Sequence, residues 1–357
     1  MSHLDFVSPD TRTLKLSAGL HLDGGHRLET VEIAYRSWGS LSEARDNAVM
    51  VCHALTGSAD VDQWWSGILG PGKALDPTRD FVVATNVLGG CYGTTGPSSP
   101  LPGNREPLGP AFPSLTIRDQ VRAQAEALKG LGVRSLRLVV GGSMGGMHAL
   151  EWAAMEPLPV EGVCAIGAPA RHYPWAVGLA DTQRRAIRSD PAWKGGRYAL
   201  DSPPSGGLAV ARMIAMCTYR SPDSFDLRFR RDRHSEGHFQ VESYLRYQGE
   251  KLGARFDANT YLALTEAMDT HDLARDRGPL AGVLADLRPR VQVVGIRSDV
   301  LYPPHEVEEL AEGIPGSDLA WIESPHGHDA FLIEQDQVRD TLRRFREQNL
   351  RRAGRCA

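Results

Sequence analysis

The sequence predicts an α/β protein, a mostly parallel, doubly wound sheet interrupted by an inserted block of helices. Three observations carry this expectation. Short, almost wholly apolar runs recur at Ala48 to His53, Phe81 to Leu88, Leu136 to Val140, Val160 to Ile166 and Val291 to Ile296. Such runs suit strands buried on both faces of a parallel sheet. Helical stretches separate the earlier runs, and a repeated strand–helix–strand order is that of doubly wound sheets. From about Arg171 to Arg288 the apolar β-branched runs give way to helical ones, so the sheet should break off and later resume.

Thr13 to Leu16 and Thr30 to Tyr35 alternate in polarity, which suggests a β-hairpin, with Asp23-Gly24-Gly25 as its turn signal. The strand at Ala48 runs into His53-Ala54-Leu55-Thr56-Gly57. The strand at Phe81 ends in a glycine-rich loop that continues through several prolines to Pro113. A loop of that length in a compact domain usually serves a function. Ser114 or Thr116 is placed to cap a helix reaching about Leu131, with Val121, Ala125 and Leu128 on one face and Gly132 as its stop. A strand from Leu136 and a helix from Met147 to Met155 follow, then the strand ending at Ile166. Ala209 to Thr218, Val241 to Gly249 and Asn259 to Met268 read as helices of the insertion. Val291 to Ile296 and Asp318 to Ile322 resume the sheet, and an amphipathic helix from Asp329 to about Arg346 closes it. The expected division is a core of residues 1–170 and 289–357 and a helical cap of residues 171–288.

Composition narrows the class of function. The 357 residues are 41% hydrophobic and 24% charged, ordinary values for a soluble enzyme. A net charge of −4 provides no strong field for nucleic acid or an anionic membrane. The run Arg228-Phe229-Arg230-Arg231-Asp232-Arg233 reads as a solvated face or a subunit contact. Five cysteines lie scattered with no C-x-x-C spacing, which argues against a disulfide framework or a zinc site. Met1 to Pro9 lacks the pattern of a secretory signal, and no run approaches the ~20 apolar residues of a membrane span. A cytoplasmic enzyme without a metal is the expectation.

The chemistry centres on Gly141-Gly142-Ser143-Met144-Gly145, a G-x-S-x-G sequence between a strand and a helix. A serine there is raised above the sheet on a sharp turn, although similar glycine-rich turns also cradle phosphate. The later strands supply partners. Asp299 follows the strand at Val291, and His328, with His326 as a competitor, follows the strand at Asp318. Residues just past the carboxyl ends of parallel strands converge on one crevice. The order Ser…Asp…His on such loops is that of α/β-hydrolases. A serine hydroxyl needs a base to become a nucleophile, and the base needs a carboxylate to fix its tautomer. The expected triad is Ser143, His328 and Asp299. Its oxyanion donors should be the backbone N–H of Met144 and one from the early loop at Leu55.

Longer stretches then resemble one family, the homoserine O-acyltransferases of the α/β-hydrolase fold, most closely their acetyl-using group. The marks are His53 to Gly57, Asn86 to Pro97, the turn from Gly141 to Met147, Ala211-Arg212, Thr218 to Ser221, Val241 to Leu245, Arg255 to Asn259, Ser298 to Pro304 and Gly327 to Leu332. The resemblance implies transfer of an acetyl group from acetyl-coenzyme A to the hydroxyl of L-homoserine through an acyl-serine, a step towards methionine. It implies no permanently bound cofactor, with acetyl-coenzyme A as co-substrate, and a homodimer formed through the cap. By position, Arg212 should grip the homoserine carboxylate and Asp329 its ammonium. A succinyl donor, a serine acceptor and simple ester hydrolysis are the alternatives, and Ser58 to Trp65 lies where relatives differ. The roles of His326 and of the Arg228 to Arg233 cluster stay open.

Overall fold

The computed structural model describes residues 6–356 except 102, 104, 105 and 236, and, for 349–356, the backbone alone. The chain opens with β1 (Arg12–Lys15), a small ribbon of β2 (Leu20–His21) and β3 (Arg27–Leu28), and β4 (Glu32–Trp38). β1 pairs antiparallel with β4, so the two expected partners do meet. The turn at Asp23 does not join them, however. It closes the inner ribbon, where the Leu22 N–H donates to the His26 carbonyl at 2.9 Å. The long connection between β1 and β4 folds back on itself and takes the turn residues with it.

The core follows as β5 (Ala48–Cys52), α1 (Val61–Trp64), β6 (Phe81–Thr85), α2 (Ile117–Gly130), β7 (Leu136–Gly142), α3 (Met144–Met155) and β8 (Gly162–Ile166). Six helices come next: α4 (Pro174–Arg188), α5 (Ser205–Tyr219), α6 (Pro222–Phe229), α7 (Gln240–Gly253), α8 (Ala258–Asp269) and α9 (Leu280–Ala285). The sheet then resumes with β9 (Arg290–Ile296), α10 (Pro304–Gly313), β10 (Asp318–Ile322), α11 (Ala330–Ile333) and α12 (Gln335–Cys356). Its strand order is β1-β4-β6-β5-β7-β8-β9-β10, parallel from β6 to β10 with an antiparallel edge at β4 and β1.

Both faces of the sheet are covered, which explains the unbroken apolar runs. Val49, Val51, Val140 and Ile166 pack with Val338, Leu342 and Phe345 of α12. Met50, Val83, Val139 and Val163 pack on the other side with Val121 and Leu128 of α2 and Trp152 of α3. Every residue of β5 and β8 is buried.

Several elements differ from the sequence expectation. The strand at Phe81 ends at Thr85, because the Asn86 side chain turns inward to accept from the Ala59 N–H and donate to the Tyr92 carbonyl, each at 2.6 Å. The helix after the serine begins at Met144, three residues earlier than its apolar pattern indicates. Its first turn carries Gly145 and Gly146, which mask a helix in sequence. The closing helix is two, broken at Glu334. In the insertion, α4, α6 and α9 add to the three helices foreseen. Thr116, not Ser114, caps α2: its hydroxyl accepts from the Asp119 N–H, and Asp119 accepts from the Thr116 N–H. No helix among the described residues is long and apolar enough to cross a membrane.

Candidate active site

Ser143 sits between β7 and α3 with φ 59° and ψ −126°, a conformation that non-glycine residues rarely adopt. Packing holds it there. The Ser143 N–H donates to the Ile166 carbonyl at 2.9 Å, and its carbonyl accepts from Gly146 and Met147 at 2.8 and 3.1 Å. A side chain at Gly141 would meet the Gly145 carbonyl, and one at Gly145 would meet the Cys52 carbonyl. These two positions therefore have to be glycine for β5, β7 and α3 to approach so closely. A strained residue persists only where its surroundings over-determine it, and such residues cluster at reactive sites.

The loops after β9 and β10 bring Asp299 and His328 together. His328 Nδ1 lies 2.6 Å from Asp299 Oδ2, both side chains buried. The other carboxylate oxygen, Oδ1, accepts from the Leu301 and Tyr302 N–H groups at 2.8 and 3.0 Å, so the carboxylate is locked. Burial opposes a charge on His328. The Asp299 charge and hydrogen bond, helped by Asp329, outweigh it and hold the ring above its ordinary pKa of 6.5. The remaining nitrogen, Nε2, is buried with no hydrogen-bond partner among the described residues. Tyr302, Phe331 and Tyr219 surround the ring, with centroids 5.2, 5.7 and 5.9 Å away.

A cavity of about 60 Å³ is lined by Ser143, His328, Leu55, Arg212, Tyr219 and Asp329, among others. The N–H groups of Leu55 and Met144 make no hydrogen bond within the described protein, although both residues are buried. Buried N–H groups are seldom left so, and donors of this kind beside a reactive serine suit a developing negative charge. His53 shapes the loop that presents Leu55. Its Nδ1 is 2.8 Å from the Ala54 carbonyl, and its Nε2 accepts from the Val87 N–H at 3.2 Å. Burial lowers its pKa to about 4, so it is neutral there.

Charged residues from the inserted helices and from the loop after β10 meet at the cavity. The Arg212 guanidinium lies 5.2 Å from the Tyr219 ring and has no carboxylate ion-pair partner among the described residues. Asp329 is not free in the same sense, since Arg220 Nε stands 3.3 Å from its Oδ2. Burial pushes the Asp329 carboxyl up, while Arg220, Arg212 and His328 pull it back. Arg220 is a neighbour that sequence reasoning passed over. So are two ties between elements. Ser298 Oγ donates to the Ser324 carbonyl at 2.6 Å and accepts from the Gly327 N–H at 2.9 Å, joining the Asp299 loop to the His328 loop. Arg255 donates to the Thr56 carbonyl at 3.0 Å and to the Tyr92 hydroxyl, joining the inserted helices to the Leu55 loop and the glycine-rich loop. Among the described residues no His, Cys, Asp and Glu cluster suits a metal ion.

His326 lies apart from the triad. Its Nδ1 is 3.2 Å from Ser224 Oγ of α6. Three arginines after Leu227 rest on rings: Arg228 over Phe229 and Tyr244, Arg231 and Arg233 over Phe239.

The profile of the alpha/beta hydrolase fold matches residues 47–335. The homoserine O-acetyltransferase of Nostoc punctiforme is 51% identical over 352 residues, covering 97% of this chain and 99% of that protein. The crystal structure of homoserine O-acetyltransferase from Bacillus anthracis superposes with a TM-score of 0.86 at 25% identity, covering 94% of this chain and 97% of that one. The crystal structure of the L374D mutant of esterase E22 is as similar in shape, with a TM-score of 0.87 at 25% identity over 94% and 99%.

Proposed function

The chain belongs to the homoserine O-acetyltransferase family of the α/β-hydrolase fold, and from that premise we propose that it moves an acetyl group from acetyl-coenzyme A to L-homoserine through Ser143. The observation that carries this reading is the cavity that Ser143, His328 and the unpaired guanidinium of Arg212 share. In the first half, His328 Nε2 takes the Ser143 proton as the oxygen adds to the thioester carbonyl. The oxyanion is received by the Leu55 and Met144 N–H groups. Collapse breaks the C–S bond, and His328 returns the proton to the leaving thiolate. In the second half, the homoserine hydroxyl gives its proton to His328 and attacks the acyl-serine. The same proton then restores Ser143 as O-acetylhomoserine leaves. Arg212 holds the acceptor carboxylate in a planar fork, and Asp329, already balanced by Arg220, takes the ammonium. Arg212, the one arginine or lysine among the described residues that line the cavity, is committed to the acceptor carboxylate, so a succinyl carboxylate would need a cation of its own, which favours a two-carbon acyl group.

Val210 of α5 and Tyr247 of α7 are exposed apolar residues on adjoining cap helices, 47% and 57% accessible, and they support a homodimer through the cap. Cys52, Cys91, Cys164 and Cys217 are free thiols, consistent with a cytoplasmic location. Residues 171–288 form the cap in this reading.

The test is thiol release from acetyl-coenzyme A and succinyl-coenzyme A, each with homoserine, serine or no acceptor. Release should depend on homoserine, favour acetyl, and fall by about 10⁴-fold or more in Ser143→Ala. Equal release with and without acceptor would leave the esterase reading, to which the likeness to esterase E22 lends its one argument.

A further inference from the structure

A second pocket opens on the cap side of the His328 loop, between α6 and α7. It measures about 310 Å³ and is lined by Arg220, Phe225, Arg228, Phe229, Tyr244 and His326, among others. Its floor is aromatic: the Phe229 and Tyr244 centroids are 5.0 Å apart, and Phe225 meets Phe229 at 5.8 Å. Its rim is cationic. The Arg228 guanidinium stands 4.6 Å from the Tyr244 centroid and 5.1 Å from that of Phe229, with no carboxylate ion-pair partner among the described residues. Between Arg220 and Arg233 the chain carries five arginines against Asp223, Asp226 and Asp232, so this corner is basic in a chain whose net charge is −4.

The pocket adjoins the catalytic cavity. Arg220 lines the first and pairs with Asp329, which lines the second. The wall between them is pinned, because Ser221 Oγ donates to the Pro325 carbonyl and a side chain at Gly327 would strike the Ser221 backbone.

We propose that this pocket seats the adenine-nucleotide end of coenzyme A, the base against the aromatic floor and the phosphates at Arg228 and Arg220. The inference rests on acyl-coenzyme A being the donor, and it deepens that reading. A flat heterocycle gains from stacking on aromatic rings and guanidinium planes. Phosphate oxygens suit guanidinium forks. The flexible pantetheine arm lets the thioester reach Ser143 while the nucleotide stays in the neighbouring pocket. His326 then has a structural part, closing the pocket towards α6 through Ser224.

Two donors separate the nucleotide pocket from the reaction centre: acetyl-coenzyme A, and S-acetyl-N-acetylcysteamine, which has no nucleotide. In Arg228→Ala, KM for acetyl-coenzyme A should rise about 10-fold, consistent with loss of one charge-assisted contact. Its kcat, the KM for homoserine and the rate with the short donor should hold. Adenosine 3′,5′-bisphosphate should compete with acetyl-coenzyme A on the native enzyme and about 10-fold less well on Arg228→Ala, with Arg228→Lys between them. Equal loss with both donors, or unchanged competition by the bisphosphate, would overturn the proposal. So would dissociation of a dimer by Arg228→Ala at unaltered donor KM, which would assign the pocket to a second copy of the chain. Failure of the native enzyme to release thiol from either donor would instead strike the acyltransfer reading itself.

Discussion

At the scale of single residues, the charge on His328 is set by a contest between burial and two carboxylates. Burial alone would depress its pKa, but Asp299 and then Asp329 carry it above 6.5. The base must be neutral to take the Ser143 proton, so kcat/KM should fall as pH drops through that raised value. The same shift stabilises the fold below pH 6.5, and the contribution is lost as pH rises through the folded-state pKa. Asp299→Asn removes the counter-charge. It should move the acidic limb of the rate profile down and cost about 10⁴-fold in kcat, since the amide no longer fixes the tautomer. A limb that stays in place would belong to another group. Glu306, a carboxyl that burial with Asp299 and Glu309 nearby lifts to about 7, would shift in Asp299→Asn as well, so Glu306→Gln is the control and should leave the limb in place. Ser143, Asp299 and His328 were legible in the sequence because each follows a strand, and a parallel sheet delivers strand ends to one crevice. Arg220 was not, since nothing in Thr218 to Ser221 says which arginine side chain will turn towards Asp329. Ser298 stood in a stretch of family likeness, yet its part could not be read there, for its worth lies in reaching a loop that begins at the far side of another strand.

Helix starts and the ties between loops set how firmly the elements hold. Thr116 and Asp119 bond reciprocally at the start of α2. Thr116→Ala should destabilise the fold by about 1 kcal/mol in urea unfolding, with Thr116→Ser recovering most of it. Activity at 25 °C should be unchanged, because α2 supplies nothing to the catalytic cavity. No change in the unfolding midpoint would mean that the cap bond has a ready replacement. Ser298→Ala should behave in the opposite way. It loosens the Asp299 loop from the His328 loop, and a misplacement near 1 Å at a reacting group costs up to about 10²-fold. The expected result is a large fall in kcat with a loss of stability near 1 kcal/mol. A proportionate loss of both would make the tie merely structural. Strands buried on both faces were legible, because their apolar runs need no partner to identify them. The helices that escaped have physical reasons. α3 starts on glycines that its packing demands, and α4 and α6 open with prolines, residues that read as breaks until the helix behind them is seen.

For the molecule as a whole, the question is why an acyl-serine should be given to an amino acid and not to water. The fold does not decide it, since chains of nearly the same shape include a homoserine O-acetyltransferase and an esterase. In the proposed reading the sheet supplies the same nucleophile, base and oxyanion receptor to either outcome. The difference has to lie in what the cap adds, and the described cap residues add Tyr219, which crowds the imidazole, and Arg212, whose guanidinium faces the cavity without a carboxylate partner. Holding an acceptor in attack geometry can be worth an effective concentration of ~10⁵ M or more, far above that of water. Arg212→Ala should therefore leave acetylation of Ser143 intact, seen as an unchanged burst of thiol, while KM for homoserine rises about 30-fold or more. Flux should pass to hydrolysis, so that acetate replaces O-acetylhomoserine as the main product at homoserine concentrations that saturate the native enzyme. An Arg212→Ala enzyme that kept the native product ratio would show that partition is governed by exclusion of water alone, with the guanidinium a bystander. A variant that lost the burst as well would place Arg212 in the first half-reaction, and the division of labour between sheet and cap would have to be redrawn.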